Sequence, residues 1–354
     1  MIIMPSTLTV GKVSAKPGET KYGPAYSVEL KDGTAVNLPV ILVNGAKDGP
    51  TITITAAVHP TELIGTEAIR RVTRKLVKAK DLKGKIIAFP LTNPLAAQFG
   101  VYVSPHDGVN MSVAFPGSMT TGSATQRLAN FVWENATTKS DLAIDFHENV
   151  KPCLHFTIVG YSDPIPGSGF KPDKKAEQVA LDASEAFGMT TIRPGEGKFN
   201  LPGMFAGARS YSRVCLDHGI PAMTPEFEGA YDLKFSDETT IEVAVRGLMN
   251  VLKYMDMVSG KIEKQKGILV LGDAKAKYTF RGMTKANRGG IVHRLVDTGV
   301  ELSEGTPIAE IYNSYGDVLE TIKMPMDGYV WGWTVRDWMV QEGGTVSFIF
   351  TENK

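Results

Sequence analysis

The sequence predicts an α/β domain followed by a smaller all-β domain. Up to about residue 262, apolar β-branched stretches alternate with segments whose apolar residues recur at helical spacing, which implies parallel strand pairing in one sheet. From about Gly267, short strands alternate with glycine turns and no helical spacing is visible. The polar stretch Ser259–Lys266 ends the first region, so we expect domains at residues 1–262 and 263–354.

The amino-terminal elements are predicted to be strands followed by a helix. Thr7–Val43 contains short strands with glycine and proline breaks, which predict a hairpin region laid against the main sheet. Thr51–Thr55 alternates polar and apolar β-branched residues and predicts a strand, and Lys85–Leu91 predicts the next one. The helix between these two strands has a predicted buried stripe of Ile64, Ala68, Val72 and Leu76.

Three further helices are predicted in the α/β domain. Ser123 caps one that runs through Trp133, and Pro172 with Asp173 starts one that runs to about Phe187. Ser236 caps the last. Its predicted buried stripe is Ile241, Val245, Leu248, Leu252 and Met255.

Strands and two unusual loops separate these helices. Asp141–Phe146, Cys153–Val159 and Pro221–Gly229 read as strands. Ser104–Gly117 is long for a mere connection, which indicates function. Gly188–Arg213 is rich in glycine, and either a lid over a pocket or an ordinary surface loop fits it.

Composition argues against a nucleic-acid-binding or membrane protein. The 354 residues contain 38 Lys plus Arg and 38 Asp plus Glu, so the formal net charge is zero. No uncharged apolar stretch approaches the roughly 20 residues that cross a bilayer, and residues 1–10 do not resemble a signal peptide. Cys153 and Cys215 lie far apart in apolar surroundings, which predicts buried free thiols. We therefore expect a soluble cytoplasmic protein.

Two strand ends carry candidate metal ligands. His59 and Glu62 follow the strand Thr51–Thr55 where a helix begins, and residues three apart in a first helical turn face the same way. The strand Asp141–Phe146 leads directly into His147. Two imidazoles and one carboxylate suit a zinc ion whose fourth position is left to water. The alternative is two satisfied core histidines and a solvated glutamate.

A carboxylate beside such a metal serves as a general base, and two glutamates compete for this role. Glu226 and Glu228 lie on one predicted strand, where residues two apart face the same side, so geometry alone does not separate them. The alternative for Glu226 is a buried glutamate paired with an arginine. Glu148, directly after His147, would point away from the metal, which predicts a structural role.

Six short motifs resemble, in order and spacing, those of the succinylglutamate desuccinylase/aspartoacylase family, a branch of the zinc carboxypeptidase clan. The resemblance runs from about Val40 to the C-terminus. The motifs are His59-Pro60-Thr61-Glu62, Asn93-Pro94-Leu95-Ala96, Asp107-Gly108-Val109-Asn110, Phe115-Pro116-Gly117, Asp145-Phe146-His147-Glu148 and Thr224-Pro225-Glu226.

The resemblance implies both an architecture and a set of roles. The expected fold is a mixed-sheet, carboxypeptidase-like α/β domain with helices on both faces, followed by a small β-barrel similar to biotinyl and lipoyl carrier domains. One zinc ion per chain is expected on His59, Glu62 and His147. The family's Thr-x-Glu motif selects Glu226 as the base. A homo-oligomer, with a dimer as the first expectation, is also implied.

The chain departs from the family at two positions. Tyr102 stands where relatives carry an arginine that steadies the oxyanion, so Tyr102 is the candidate donor here. In relatives, an Asn-Arg pair before Phe-Pro-Gly binds a substrate carboxylate. In this chain Ser112 replaces the asparagine of that pair and Val113 replaces the arginine. Serine and valine cannot supply a bidentate guanidinium clamp. We expect the substrate to be uncharged there, or another group to hold it.

The remaining candidates for substrate binding come from two loops. Asn110 and Ser112 lie in the loop Ser104–Gly117, which also contains His106. Arg193, Arg209 and Arg213 lie in the glycine-rich segment Gly188–Arg213. For each of the three arginines, an ordinary surface or structural role is favoured over contact with the substrate.

These residues predict a zinc-dependent hydrolase that cleaves the C–N amide bond of a small N-acylated amine or amino-acid derivative, with water activated by zinc and Glu226. The first alternative is a catalytically idle zinc-binding relative that serves as a small-ligand binding or regulatory protein, because both arginines are missing. Metallocarboxypeptidase action is a weaker alternative, because it needs a clamp for a C-terminal carboxylate. The expected partner is a small N-acyl substrate, with neither nucleic acid nor membrane.

Overall fold

The computed structural model describes residues 6–149, 152–160, 173–194, 210–229, 238–272, 278–334 and 338–352. Its helices are α1 (Ile64–Arg71), α2 (Pro94–Ala97), α3 (Ala124–Asn135), α4 (Lys174–Phe187), α5 (Tyr211–Asp217) and α6 (Glu238–Tyr254). Its first strands are β1 (Leu8–Val10), β2 (Val13–Ala15), β3 (Glu19–Glu29), β4 (Ala35–Asn44), β5 (Lys47–Thr55), β6 (Lys83–Phe89), β7 (Leu142–Asp145) and β8 (His147–Asn149). The later strands are β9 (Phe156–Val159), β10 (Thr190–Pro194), β11 (Ala222–Glu228), β12 (Tyr278–Lys285), β13 (Gly290–Arg294), β14 (Glu301–Leu302), β15 (Pro307–Tyr312), β16 (Val318–Lys323), β17 (Gly328–Trp333), β18 (Met339–Val340) and β19 (Thr345–Glu352).

Thirteen of the described strands form one mixed sheet, in the order β14-β17-β19-β12-β10-β9-β11-β7-β5-β6-β4-β3, with β8 paired to β11. Its centre is parallel, because β5 pairs in parallel with β6 and β7, and β7 pairs in parallel with β11. On one side, β9 runs antiparallel to β11. The predicted mixed α/β sheet is therefore confirmed.

Helices cover both faces of this sheet. One core cluster packs α1, α4 and α6 against the strands, and includes Ala68, Ala180 and Leu248. The opposite cluster packs α3 and α5, and includes Leu128 and Val214. Among the residues that the structure describes, no helix is long and apolar enough to cross a membrane.

Helix starts follow the predicted capping chemistry where they are described. Ser123 and Gln126 form a reciprocal capping box at α3, and the Asp173 carboxylate accepts from two backbone N–H groups at α4. Ser236 lies outside the described residues. Four residues of the predicted α6 stripe are buried, whereas Met255 lies just past the helix end and is partly buried.

The predicted stripe of α1 is wrong at Leu76. Ala68 and Val72 are fully buried, but Leu76 is 51% exposed. The helix changes to a π-helical turn over Val72–Leu76, and this wider turn contains more residues than an α turn. Leu76 is therefore rotated out of the stripe that α-helical spacing predicted.

The amino-terminal strands belong to the main sheet, although they were predicted to lie against it. β3 and β4 form one long antiparallel hairpin, and β4 is hydrogen-bonded to β6. A register shift between Pro24 and Tyr26 absorbs the proline that suggested a break. β1 and β2 form a separate small sheet.

The carboxyl-terminal strands extend the main sheet and add a second one. β12 pairs in parallel with β10, which joins β12, β19, β17 and β14 to the sheet. The strands β16, β15, β13 and β18 form a four-stranded sheet, and both groups share a core that includes Ile311, Trp333 and Ile349. The structure thus has the predicted carboxyl-terminal strands without helices, and they are arranged in antiparallel sheets. The domain boundary at 262/263 stays a prediction.

Candidate metal centre

A buried loop carries the first two candidate ligands between β5 and α1. His59 and Glu62 precede α1, so they do not lie in its first turn as predicted. They converge because the Glu62 N–H donates to the His59 carbonyl at 3.0 Å, which closes a four-residue turn. The loop is fixed from outside by Asn93, whose side-chain N–H donates to the Val58 carbonyl at 3.1 Å. Ala57 lies in the left-handed backbone region with φ 49°, a conformation that clusters at functional sites.

His59, Glu62 and His147 form one buried cluster. Glu62 lies between the imidazoles, with Oε1 3.0 Å from His59 Nδ1 and Oε2 2.9 Å from His147 Nδ1. Ligand atoms of the three residues lie within 4.8 Å of one another. The structure therefore brings together the three residues that the sequence selected, in an arrangement that could hold a metal ion.

Outer hydrogen bonds fix the orientation of both imidazoles. His59 Nε2 lies 3.1 Å from Asn110 Oδ1, and His147 Nε2 lies 2.9 Å from Asp145 Oδ2. Each of these oxygens accepts a hydrogen bond from an Nε2–H group, so the Nδ1 atom of each ring is directed at the common centre. The Thr55 hydroxyl donates to Asp145 at 2.6 Å and holds that carboxylate in place. Sequence reasoning assigned no role to Asp145, although it lies two residues before a ligand on a strand.

The charged groups of the cluster shift the pKa values of Glu62 and His147. Burial favours the protonated form of Glu62, but the charges and hydrogen bonds of His59 and His147 outweigh burial and lower its pKa to about 2. Burial opposes the charged form of His147, yet the carboxylates of Asp145 and Glu62 raise its pKa well above the usual value. Glu62 is therefore a carboxylate at neutral pH, as a metal ligand must be.

Glu226 lies beside this cluster. β11 pairs in parallel with β8, and the register sets Glu226 opposite His147 and Glu228 opposite Asn149. Burial raises the pKa of Glu226 to about 8, and the nearby Glu62 and Asp145 charges add to this effect while His147 opposes it. Glu226 is therefore paired directly with a candidate ligand, whereas Glu228 is two register pairs further along the strand.

Glu148 has the structural role that the sequence predicted. Its Oε1 accepts the Ile64 N–H at 2.6 Å, at the start of α1, and its own N–H donates to Glu62 Oε2 at 3.1 Å. A carboxylate at this position satisfies a helix N-terminus. Burial raises the pKa of Glu148 to about 8.

The loop between α2 and α3 that carries these motifs, residues 98–119 and here called the motif loop, contacts the cluster through His59. The Tyr102 ring stacks on the His59 ring, with centroids 3.5 Å apart and planes 16° apart. The backbone N–H and hydroxyl of Ser112 each donate to Asn110 Oδ1 at 3.0 Å, which orients the oxygen that faces His59. The structure thus brings Tyr102, Asn110 and Ser112 close to His59. The Asn110 side-chain oxygen contacts His59 and Ser112, which differs from the predicted contact with substrate.

The arginines are placed elsewhere. Thr190 and Glu226 are both paired with Phe156, on either side of β9. Arg193 follows Thr190 by three residues, which is about 10 Å further along β10. Its guanidinium lies 3.6 Å from Glu177. Arg213 is buried, and its Nε donates to Asp217 at 2.8 Å. Arg209 lies outside the described residues, so the structure brings no described arginine of the glycine-rich segment into the cluster.

Comparison with known proteins identifies the family to which the sequence is similar. The sequence matches the succinylglutamate desuccinylase/aspartoacylase catalytic domain over residues 48–255. The N-alpha-acetyl-L-2,4-diaminobutyric acid deacetylase of Halomonas elongata is 25% identical over 284 residues, which is 79% of this chain and 75% of that protein.

Solved structures share the fold over almost the whole chain. The product-bound ectoine utilization protein EutE (DoeB) from Ruegeria pomeroyi has a TM-score of 0.77 at 21% identity, and the alignment covers 94% of this chain and 95% of that one. The succinylglutamate desuccinylase/aspartoacylase from Rhodobacter sphaeroides has a TM-score of 0.76 at 23% identity, with 95% and 96% covered. Because the catalytic-domain match spans more than half of the sequence, the chain belongs to the succinylglutamate desuccinylase/aspartoacylase family.

Proposed function

We propose that this protein is a zinc-dependent hydrolase that cleaves the C–N amide bond of a small N-acylated amine or amino-acid derivative. One observation carries the proposal: the ligand atoms of His59, Glu62 and His147 lie within 4.8 Å of one another, and Glu226 lies opposite His147 on the next strand. Family membership and the similarity to an N-acetyl-diaminobutyric acid deacetylase support the reaction class.

The donor set fits one zinc ion per chain. Two imidazole nitrogens and one carboxylate form a three-ligand catalytic site, and Asn110 and Asp145 supply the outer hydrogen bonds that such ligands need. When bound, zinc supplies a Lewis acid that polarises the substrate carbonyl and makes water a stronger acid.

Glu226 is the proposed general base. Its carboxylate would take a proton from the attacking water and return it to the nitrogen of the leaving amine. Its register with His147 supports this role, and Glu228 lies two register pairs further from His147. Retention of a base also argues against an idle ligand-binding relative, because a binding protein has no need of one.

The motif loop would provide the remaining functions. The Tyr102 hydroxyl is the proposed donor to the oxyanion, supported by the stacking of its ring on His59. We assign Asn110 and Ser112 to the positioning of His59, because the Asn110 oxygen is already occupied by His59 and Ser112. Arg193 is left out of the proposed site because it lies beside Glu177.

A substrate screen with zinc-loaded protein tests this function. N-acetyl, N-formyl and N-succinyl amines, both charged and neutral, would be supplied, and the released amine would be measured. We expect at least one amide to be hydrolysed, with Glu226→Gln as the zinc-bound control that does not turn over. Zinc binding with no hydrolysis in the whole screen would favour the idle relative. Dimerisation and a cytoplasmic location remain predictions.

A further inference from the structure

We infer that the motif loop, residues 98–119, forms an apolar subsite that binds a hydrocarbon group of the substrate, at the place where a carboxylate clamp was expected from the family resemblance. This inference rests on the proposed amide hydrolysis and names the substrate class for the same site. The substrate part that contacts this loop is uncharged.

Exposed apolar side chains are concentrated on this loop. The exposed fractions are 54% for Phe99, 36% for Val101, 39% for Tyr102, 37% for Val103 and 44% for Val113. Exposed apolar residues that stand singly are ordinary on a protein surface, whereas a group of them marks a binding site. A loop with this composition beside a metal cluster matches the mostly apolar lining of small-molecule sites.

The loop is attached to the candidate metal centre at two points. The Tyr102 ring lies flat on His59, with centroids 3.5 Å apart, and Asn110 Oδ1 lies 3.1 Å from His59 Nε2. Val113 ends a 3-10 turn, and its backbone N–H donates to the Asn110 carbonyl at 3.4 Å. The apolar side chains therefore lie on the loop that contacts the first ligand.

Internal bonds keep this loop in a fixed shape. The Asp107 carboxylate accepts from the Thr125 N–H at 2.8 Å and from its hydroxyl at 3.0 Å, which ties the loop to the start of α3. The Gly108 N–H donates to the Ser104 carbonyl at 2.8 Å, and the Phe99 ring packs against His106. The exposed apolar groups are thus held in position before any ligand arrives, which lowers the entropic cost of binding.

Apart from His106, whose ring packs against Phe99, the loop offers no basic side chain to a substrate carboxylate. Residues 86–126 contain no lysine and no arginine, and Asp107, their only acidic residue, is engaged with Thr125. Arg193 and Arg213 lie beside Glu177 and Asp217 respectively. A carboxylate that contacted this loop would lose its hydration without gaining a charged partner, which is costly.

The other side of the cluster is rich in carboxyl groups. Glu62 and Asp145 both contact His147, and Glu226 lies opposite it. Glu148 lies beside Glu62, and its backbone N–H donates to the Glu62 carboxylate. The Glu62 and Asp145 carboxylates offset positive charge at the centre, which weakens its attraction for a second anion. Apolar contact on the loop and this offset both favour an uncharged group.

The test compares two ligands that differ by one carboxylate. N-acetyl-3-methylbutylamine and N-acetyl-L-leucine would each be titrated by calorimetry into zinc-loaded Glu226→Gln protein, which leaves the amides intact. We expect the neutral amide to bind at least about tenfold more tightly. Equal or tighter binding of N-acetyl-L-leucine, or no measurable binding of either compound, would overturn the inference. Because binding is measured without turnover, failure of hydrolysis contradicts the proposed function and leaves this result standing.

An arginine introduced into the loop sharpens the test. Val113→Arg, made in the same Glu226→Gln background, should shift the affinity ratio toward N-acetyl-L-leucine by about tenfold or more, because a guanidinium then meets the carboxylate. The matched control is Val318→Arg, which changes a valine of similar exposure, 49%, on the carboxyl-terminal sheet. An unchanged ratio in Val113→Arg, or an equal shift in Val318→Arg, would show that the loop does not contact this part of the ligand.

Discussion

At the scale of single residues, Glu62 organises the candidate centre. Its two oxygens lie 3.0 and 2.9 Å from the Nδ1 atoms of two histidines that are 88 residues apart in the chain, His59 and His147. The outer acceptors Asn110 and Asp145 hold the far side of each ring. A buried charge is tolerable because it is paired on every side.

Glu226 is predicted to carry the chemistry, with Glu228 as its matched control on the same strand. Glu226→Gln should retain zinc and lose turnover by a factor of about 10² or more, because an amide cannot accept the proton. Glu228→Gln should retain both zinc and most of the activity. Steady-state rates and metal analysis of both variants check this. A larger loss in Glu228→Gln would move the base role to that residue.

Asp145 is predicted to strengthen zinc binding without touching the ion. Asp145→Asn should weaken zinc affinity by roughly 10- to 100-fold, because the carboxylate that orients His147 and makes it a better ligand is lost. Asp141→Asn is the control, since Asp141 lies just before the same strand and accepts a backbone N–H of Thr51 at 2.7 Å. Competition with a chelator measures both affinities. Equal affinities would remove Asp145 from the metal site.

At the scale of elements, the motif loop depends on its attachment to α3. The Asp107 pKa is lowered, because hydrogen bonds from Thr125, Ser123 and Val109 outweigh the effect of burial. The loop is held by the N-terminal end of a helix, where an anion is favoured.

Asp107→Ala should destabilise the protein by about 1 kcal/mol, as the loss of a helix cap does, and should weaken binding of the neutral amide. The control is Asp32→Ala, which removes a similar carboxylate bond, to the Thr34 N–H, from a turn in the β3–β4 hairpin. Urea unfolding and calorimetry measure the two effects. Asp32→Ala should leave amide binding unchanged, and a loss of binding there would contradict a local role for the loop.

The elements also show what sequence patterns can and cannot predict. The three candidate ligands were found because each follows a strand of a parallel sheet, and such ends meet at one edge. The prediction that Leu76 is buried was wrong because a π-helical turn cannot be recognised from the spacing of apolar residues. The position of Arg193 depends on β9–β10 pairing between distant segments, which local sequence does not encode.

At the scale of the whole molecule, one sheet connects the candidate centre to the carboxyl-terminal strands. The backbones of Cys153 and Gly332 form an isolated antiparallel β-bridge. The Trp331 ring packs edge-on against Phe156, with centroids 3.9 Å apart. Phe156 is in register with Glu226. The carboxyl-terminal strands therefore support the strand next to the proposed base, a contact between residues 175 positions apart that sequence periodicity could not predict.

The stability of the metal-free protein should fall as pH rises from about 4.5 to about 8. The pKa values of Glu148 and Glu226 are raised from 4.5 to about 8, and that of His147 is raised above 6.5, so in this range the folded state binds more protons than the unfolded chain. Glu62, with a pKa lowered to about 2, contributes fully above 4.5 and adds no slope there.

Scanning calorimetry of the metal-free protein at pH 5 and pH 8 measures this slope, and we expect the higher Tm at pH 5. The zinc-loaded protein is the control. Its gain in Tm over the metal-free form should grow with pH, because metal ligands must lose their protons. A metal-free Tm that rises between these two pH values would show that the buried carboxyl groups do not dominate the titration.

The central claim is that one zinc ion binds between His59, Glu62 and His147. A crystal structure of the zinc-loaded protein, with anomalous data collected at the zinc edge, tests it most directly. The account predicts one strong peak per chain, about 2.0–2.1 Å from both Nδ1 atoms and at a similar distance from a Glu62 oxygen. A zinc peak elsewhere with none at this centre, or a centre that stays empty with zinc in excess, would contradict it.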